Sequence, residues 1–173
     1  MPISAIIFDL GNTLIKQQID EHFTLDQFDL ELASNASSTL EQLHKNYKIG
    51  LLTNTRRSNK SHVKNAMTKL GLSQFIDCIV TSLDIGVEKP SSIIFEYILK
   101  CLDVEPSEVI MVGNDLLADI FGGMQLGITS IFYSCEPNDW RKLELASLKP
   151  DYIIKELPDL IPLLNSTINQ ERG

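Results

Sequence analysis

Side chains that could do chemistry stand at the ends of three apolar runs of the sequence and in one loop. "IIFD" ends in Asp9, "IGLLTN" ends in a hydroxyl and an amide, and "VIMVGNDLLAD" ends in an amide and two carboxylates, while a lysine stands in "GVEKP". Carboxylates can hold a cation, hydroxyls and amides can bind anionic oxygens, and a lysine can neutralise charge. The complete set is Asp9, Thr53, Asn54, Lys89, Asn114, Asp115 and Asp119.

Short β-rich runs alternate with segments of helical periodicity along the chain. This alternation predicts crossover connections, and therefore a mostly parallel sheet with helices on both faces. Ser37 and Ser38 are predicted to cap the first helix and Ser91 the third, and Gly71 is predicted to follow the end of the second. Strands are predicted over 4–8, 48–53, 75–81, 109–112, 128–133 and 152–154, and helices over 39–47, 61–70, 91–102, 116–126 and 157–164.

Parallel strands bring their carboxyl ends to one edge of the sheet, where ligand crevices form. The polar side chains stand at these ends, so we expect them to converge on one crevice. Singly, each has an ordinary explanation: Asp9 as a turn residue, Lys89 as a solvated loop residue, and Asp115 and Asp119 as acids in the first turn of a helix. Together they favour a functional site, because separate segments supply complementary side chains.

These motifs resemble, in order and spacing, the haloacid dehalogenase-like superfamily of hydrolases. The resemblance rests on "IIFDLGNTL", "IGLLTNT", "GVEKP" and "VIMVGNDLLADIFGG", and covers almost the whole chain. It implies a Rossmann-like three-layer α/β/α sandwich, with one core domain over 1–165 and a frayed tail over 166–173. It also implies a Mg²⁺-dependent phosphohydrolase that forms an aspartyl-phosphate on an unidentified phosphorylated small molecule or macromolecule.

The resemblance further implies a role for each side chain. The nucleophile attacks phosphorus and also binds the metal, the lysine neutralises charge, and the metal keeps the two anions from repelling each other. The expected catalytic residues are Asp9, Thr53 and Lys89; the phosphate-binding residues are Thr53, Asn54, Lys89, Arg56 and Arg57; the metal ligands are Asp9, Gly11, Asn114, Asp115 and Asp119.

Two positions depart from the usual pattern of the superfamily. Most of its phosphatases have aspartate at the position of Gly11, and that acid–base group contributes roughly 10²–10⁴-fold to the rate. Glycine keeps only the backbone carbonyl, so we expect a preference for good leaving groups, such as those of sugar-1-phosphates and acyl phosphates. Asn114 replaces the usual first acid of the metal motif, which predicts a weaker metal site in which Asp115 takes over part of the role.

The chain has little room for a cap domain, which members acting on small metabolites usually carry. Only a flap and one helix fit between Ile15 and Tyr47, so we expect an open crevice, suited to a bulky substrate or to a neighbouring subunit acting as lid. From Lys45 to Lys69 there are seven basic residues and no acidic one. Arg56 and Arg57 in this segment either belong to a solvated basic surface or bind a second anionic group of the substrate.

Two other functions remain open at this point. A haloacid dehalogenase would explain Gly11 and Asn114, but it needs no metal and usually needs an arginine from a cap. A binding or regulatory module that lost turnover would explain the two departures and the missing cap, but it had no need to retain Asp9, Thr53 and Lys89 together.

Composition bounds the partners and the compartment. The net charge of −8 argues against binding of nucleic acid or of anionic membranes, which need a basic surface. No signal peptide or membrane-spanning run is visible, which predicts a cytoplasmic protein. Cys78, Cys101 and Cys135 form no C-x-x-C pair and are predicted to be reduced thiols. Trp140 is expected either in ordinary packing or over the mouth of the crevice.

Overall fold

The central sheet is built from parallel strands. The computed structural model describes residues 2–16, 22–134, 139 and 147–165. Within them six strands form the sheet: β1 (Ala5–Phe8), β2 (Lys48–Thr53), β3 (Cys78–Thr81), β4 (Val109–Gly113), β5 (Thr129–Tyr133) and β6 (Tyr152–Ile154). Their order is β3-β2-β1-β4-β5-β6, and every neighbouring pair is parallel. The prediction of a mostly parallel sheet is confirmed.

Helices cover both faces of this sheet. Those of the described residues are α1 (Ala36–Leu43), α2 (Lys60–Lys69), α3 (Ser82–Ile85), α4 (Ser92–Leu102), α5 (Gly122–Met124) and α6 (Leu160–Leu163). Along β1, Ile6 and Phe8 join an apolar cluster with α1, α2 and α6, whereas Ala5 and Ile7 join a second cluster with α4. Alternate side chains are thus buried on opposite faces, as the three-layer sandwich requires.

Two elements begin three residues from their predicted starts. The first helix was expected from residue 39, with Ser37 and Ser38 as caps, but α1 begins at Ala36 after Asn35, whose φ is +62°. Both serines therefore lie inside the helix. The earlier start buries Ala36 in the core, with only 1% of its surface exposed. The third strand was expected from residue 75, but a 3₁₀ turn (Ser73–Phe75) occupies that position.

Gly71 and Ser91 lie where they were predicted, at the end of the second helix and the start of the third. Gly71, with φ of +72°, follows the end of α2 in the left-handed conformation that glycine adopts readily. Ser91 occupies the cap position of α4, although its side chain makes no capping hydrogen bond.

The segment after β4 is helical, as predicted, but not as one α-helix. A π-helical stretch (Leu116–Phe121) precedes α5. The amides of Asp119 and Ile120 both donate to the carbonyl of Asp115, at 3.0 and 3.2 Å. Such a widened turn is frequent at functional sites, and here it contains Asp119. The predicted last helix is likewise divided, into a 3₁₀ turn (Leu157–Asp159) and α6.

A disulfide corrects the prediction that the cysteines are reduced. Cys78 of β3 and Cys101 of α4 are bonded, with their Cα atoms 6.2 Å apart. The two positions are 23 residues apart in sequence, and they meet because α4 packs across β3 and β2. Cys135, Trp140 and the predicted tail over 166–173 lie outside the described residues.

The described helices are all too short and too polar to cross a bilayer. The cytoplasmic location stays a prediction.

Candidate active site

The polar residues singled out in the sequence meet in one cleft at the carboxyl edge of the sheet. Asp9 follows β1, Thr53 ends β2, and Asn114 and Asp115 follow β4; these three strands are neighbours. The cleft has a volume of about 540 Å³. Its lining includes all ten predicted site residues: Asp9, Gly11, Thr53, Asn54, Arg56, Arg57, Lys89, Asn114, Asp115 and Asp119. Their convergence is confirmed, while their roles stay predictions.

Lys89 lies at the centre of this arrangement. Its Nζ donates to Asp9 Oδ1 at 2.7 Å, to Asp119 Oδ1 at 2.6 Å and to the carbonyl of Leu52 at 2.9 Å, so all three of its protons are used. Its side chain is only 2% exposed. Burial by itself lowers the pKa of Lys89, but the charges of Asp119 and Asp9 outweigh burial and raise the pKa, which keeps the ammonium charged. The explanation of Lys89 as a solvated loop residue is therefore wrong.

Asp119 is the second carboxylate that binds the Lys89 ammonium. The residue is fully buried, and burial together with the charge of Asp9 raises its pKa to about 7, although Lys89 acts in the opposite direction. Oδ1 accepts from Lys89, and Oδ2 accepts from the amide of Asp115 at 3.0 Å. Protein donors thus engage both oxygens, which favours a role in positioning Lys89 over direct metal ligation.

Gly113 makes room for this carboxylate, a role that the sequence pattern did not reveal. A Cβ added at Gly113 would lie 2.2 Å from Asp119 Oδ2, well inside van der Waals contact. The glycine of "VGND" is therefore required by the close approach of a side chain six residues later. No local sequence signal reports such a contact, because it depends on the widened turn.

A second group of oxygens lies around the hydroxyl of Thr13. Oδ2 of Asp9 and Oδ1 of Asn114 lie 3.5 and 3.4 Å from the hydroxyl of Thr13, which is fully buried. Gly11 lines the cleft beside them. Oδ1 of Asp115 is already occupied, because it accepts from the amides of Leu117 and Ala118 at 2.9 and 2.8 Å as a helix cap.

This donor set fits a hard cation. The part of the chain that the structure describes contains no cluster of three or more His, Cys, Asp or Glu residues that could hold a metal. One carboxylate, one amide and one backbone carbonyl are nevertheless the oxygen types that Mg²⁺ accepts, usually together with water. The weaker metal site expected from Asn114 stays a prediction; the asparagine brings no charge, and Oδ1 of Asp9 is held by Lys89.

The chain after β2 is held in place by two side chains. Asn54 accepts from the amide of Lys89 at 2.9 Å and donates to its carbonyl at 3.1 Å, so it fixes the lysine loop to the end of β2. The hydroxyl of Ser82 accepts from the amide of Thr55 at 2.8 Å and donates to its carbonyl at 3.1 Å. These contacts position Thr53 at the floor of the cleft.

A flap, defined here as residues 23–33, forms one side wall of the cleft. It returns beside the segment after β1: Lys16 donates its amide to the carbonyl of Glu31 at 2.8 Å, and Ala33 donates to Leu14 at 2.9 Å. Phe23, Leu25 and Phe28 of the flap line the cleft, as do Arg56 and Arg57. The flap was predicted as an element, but the contribution of its apolar residues to the site was not.

The flap is also attached to the start of α2. The amide of Leu25 donates to the hydroxyl of Ser58 at 2.9 Å, and Asn65 of α2 donates to the carboxylate of Asp26 at 3.2 Å. Lys69 reaches the carbonyl of Asp26. Together these contacts fix the apolar wall relative to the residues that follow Thr53.

Comparison with known proteins supports the resemblance. A sequence model described as haloacid dehalogenase-like hydrolase matches residues 10–133. Pyrophosphatase PpaX of Bacillus mycoides is 34% identical over 73% of this chain and 57% of its own length. Ribulose-1,5-bisphosphate 5-phosphatase of Halopiger xanaduensis is 34% identical over 61% of this chain and 43% of its own length. The chain thus spans about half the length of these curated relatives.

A solved structure shares the whole architecture. An uncharacterized protein from Listeria monocytogenes serotype 4b is 29% identical, with a TM-score of 0.79, over 94% of this chain and 98% of that one. The family match, the shared architecture and the convergence of the four motifs in one cleft agree. The chain therefore belongs to the haloacid dehalogenase-like hydrolase family.

Proposed function

We propose that the chain is a Mg²⁺-dependent phosphohydrolase in which Asp9 is the nucleophile. The observation that carries the proposal is the division of the Asp9 carboxylate. Oδ1 is held by Lys89 at 2.7 Å, whereas Oδ2 lies 3.5 Å from the hydroxyl of Thr13, which Asn114 Oδ1 also approaches, and Asp9 lines the cleft. A carboxylate that served only as a cap would be turned towards backbone amides, as that of Asp115 is.

The reaction follows from these positions. A carboxylate oxygen of Asp9 attacks phosphorus, an O–P bond forms, and the bond to the leaving oxygen breaks with its electron pair on that oxygen. Water then attacks the aspartyl-phosphate, which releases inorganic phosphate and restores the carboxylate. Lys89 keeps its three hydrogen bonds throughout and offsets negative charge at Asp9, and Thr53 with the amide of Asn54 binds phosphoryl oxygens.

Mg²⁺ would be held by Asp9, the carbonyl of Gly11 and Asn114, and would supply positive charge between the carboxylate and the phosphate. Asn114 brings no charge, so the affinity of this site depends on Asp9.

The lining offers no acid well placed to protonate a leaving group. Among the described residues of the cleft wall, the carboxylates are Asp9, Asp115 and Asp119, and no histidine is present. Asp119 is buried beneath Lys89, and Asp115 is an exposed helix cap. Substrates whose leaving oxygen is stable without a proton should therefore react best. The phosphatase names of the relatives are in keeping with phosphoryl transfer.

The test is hydrolysis of acetyl phosphate and p-nitrophenyl phosphate with and without millimolar Mg²⁺. We expect metal-dependent turnover by the unmodified protein and none above background by Asp9→Asn. Asp103→Asn, an exposed aspartate outside the cleft lining, is the matched control and should keep full activity. Turnover that persists in Asp9→Asn would refute the nucleophile. No turnover by the unmodified protein would favour a binding or regulatory module.

The partners remain proposals of the same kind. The open cleft suits a phosphorylated substrate that fills it or a second copy of the chain that covers it, and the activity of a concentration series would distinguish the two. If a second copy is needed, specific activity rises with protein concentration.

A further inference from the structure

The cleft extends beyond the residues that the proposed reaction uses. The proposed reaction uses Asp9, Thr53 and Lys89, yet the lining also includes a pair of arginines and the apolar residues of the flap. A volume of about 540 Å³ is within the range of pockets that enclose whole small-molecule ligands. A bare phosphate would leave most of this space to water.

The flap side of the cleft is aromatic. The rings of Phe23 and Phe28 meet edge to face, with centroids 6.0 Å apart and an interplanar angle of 86°. Phe23 is 51% exposed, which is unusual for so large an apolar side chain beside a polar site. Leu25 lies between the two rings in sequence and lines the same wall. Such a wall suits a flat ring of a ligand, because aromatic faces are sequence-tolerant stacking partners.

Another part of the cleft lining is cationic. Arg56 and Arg57 are both exposed and line the cleft directly after the phosphate-binding end of β2. Their segment, residues 45–69, contains seven basic residues in a chain whose net charge is −8. Guanidinium groups bind phosphate in two-pronged fashion, so this part of the lining suits a second phosphate close to the one at Asp9.

Among the described lining residues, no acid is placed to protonate a leaving group, which points to the same ligand class. A phosphoanhydride releases a phosphate oxygen, and because a phosphate monoester has a second pKa of about 6, that oxygen leaves without needing a proton. One ligand would satisfy all three observations: a molecule with a terminal phosphate, a second phosphate and a flat ring.

We propose that the substrate is a nucleoside diphosphate, an inference that rests on the proposed function. The β-phosphate lies at Asp9, the α-phosphate at Arg56 and Arg57, and the base against Phe23 and Phe28. Asp9 attacks the β-phosphorus, the bond from that phosphorus to the bridging oxygen breaks, and the nucleoside monophosphate leaves with the electron pair on its phosphate. Water then releases inorganic phosphate from Asp9.

Binding tests the proposal independently of turnover. In isothermal titration calorimetry with Mg²⁺, the probes are α,β-methylene-ADP, whose carbon bridge resists cleavage, and methylenediphosphonate, which lacks the nucleoside. We expect the nucleotide analogue to bind about tenfold tighter or more, since stacking on one aromatic residue contributes roughly 1–3 kcal/mol. Equal affinities would overturn the proposal.

Paired variants locate the two parts of the ligand. Phe23→Ala should weaken α,β-methylene-ADP about tenfold relative to methylenediphosphonate. Tyr97→Ala, an equally exposed aromatic on α4, should change neither affinity. Arg57→Ala should weaken both probes by similar factors, whereas Lys64→Ala, which removes one exposed positive charge from α2, should have little effect. A Phe23→Ala variant that weakens both probes equally would overturn the assignment of the ring site.

Turnover separates this proposal from the proposed function. If acetyl phosphate is hydrolysed but ADP is no better a substrate than pyrophosphate, the nucleotide assignment fails and the phosphohydrolase stands. If α,β-methylene-ADP binds with ring preference but neither acetyl phosphate nor ADP is hydrolysed, both the phosphohydrolase and the substrate assignment fail.

Discussion

Lys89 is the residue on which the geometry of the cleft depends most. Its three hydrogen bonds join the ends of two strands to a helix that follows a third: Leu52 in β2, Asp9 after β1 and Asp119 after β4. The ammonium therefore serves both stability and function. Two carboxylates face it, and neither has another cation among the described contacts that the structure records.

Replacing Lys89 should leave the buried carboxylate of Asp119 and the partly buried one of Asp9 uncompensated. We expect Lys89→Met to lower the free energy of unfolding by about 3–5 kcal/mol, as is usual when one partner of a buried ion pair is removed. Urea denaturation measures the change. Lys64→Met, at an exposed position, should change stability by about 0.5 kcal/mol or less.

The same variant should have a characteristic pH dependence. The pKa of Asp119 is already raised to about 7, against an ordinary value of 3.8 for aspartate. Loss of Lys89 would raise it further, because the charge and hydrogen bond of the lysine lower the pKa. An acid with a raised pKa in the folded state holds its proton better there than in the unfolded chain, so stability falls as pH rises between the two values. Lys89→Met should thus be less destabilised at about pH 5 than at about pH 7.5. A larger destabilisation at the lower pH would contradict this reasoning.

A substitution at Gly113 tests whether activity depends on the position of the Asp119 carboxylate. Gly113→Ala places a methyl group 2.2 Å from Asp119 Oδ2, so the carboxylate must move away from Lys89. We expect kcat to fall by about a hundredfold, since small displacements of positioning groups have effects of that order. Gly123→Ala is the control, because its Cβ would meet its nearest neighbour, Met111, at 3.3 Å and outside the cleft. Equal losses in both variants would show a general effect on folding.

At the scale of elements, the flap and α2 act as one wall of the cleft. The hydroxyl of Ser58 accepts the amide of Leu25, and Asn65 and Lys69 of α2 contact Asp26. The flap turn is short, with Thr24 and Gln27 bonded to each other at its start. Its position depends on these attachments, because the described flap contains only three residues of 3₁₀ helix.

Removing the Ser58 hydroxyl should loosen this wall. In Ser58→Ala we expect the amide of Leu25 to exchange with solvent about fivefold faster, because one net hydrogen bond contributes roughly 1 kcal/mol. Hydrogen exchange followed by NMR measures this directly. Ser38→Ala removes an exposed hydroxyl that bonds to Asn35 in α1 and should leave the Leu25 amide unchanged. An unchanged rate in Ser58→Ala would show that α2 alone holds the flap.

Sequence reasoning succeeded where the signal is local. β2 and β6 have the predicted bounds, and β1 differs by one residue, because an apolar run closed by polar residues defines a buried strand. The start of α1 was missed because burial of Ala36 outweighs the capping preference of Ser37 and Ser38. The widened turn at Asp119 was missed because this aspartate binds Lys89, which lies thirty positions earlier in the chain.

The same limit applies to the site. Asp9, Thr53 and Lys89 could be found because each stands at a strand end or in a recognisable motif. Thr13 and Phe23 could not: Thr13 meets Asn114, 101 positions away, and the place of Phe23 follows from the path of the flap rather than from residue type. The parallel order of the strands, which brings all of them together, follows from pairing across the whole chain.

At the scale of the molecule, the disulfide links two layers of the sandwich. It joins β3 to α4 and closes a loop of 23 residues. Neither cysteine lines the cleft, so the bond concerns stability rather than chemistry.

Breaking this bond should destabilise the fold without changing the reaction. We expect Cys78→Ser with Cys101→Ser to lower the free energy of unfolding by about 2–4 kcal/mol, from the loop-closure entropy returned to the unfolded chain. Urea denaturation with and without a reductant measures it, and the reductant should affect only the unmodified protein. The kcat for acetyl phosphate should stay within about twofold. No difference in stability would mean that the thiols are free in solution.

The order of strands in the sheet also has a consequence for synthesis on the ribosome. β1 is made first, but its neighbour β4 arrives about a hundred residues later, and Asn114 lies 101 positions beyond Thr13. Such distant pairings form slowly. A nascent chain that ends before Asp119 has Asp9 and Lys89 without the buried carboxylate that holds the lysine, so the complete cluster forms only once the segment through Asp119 has been made.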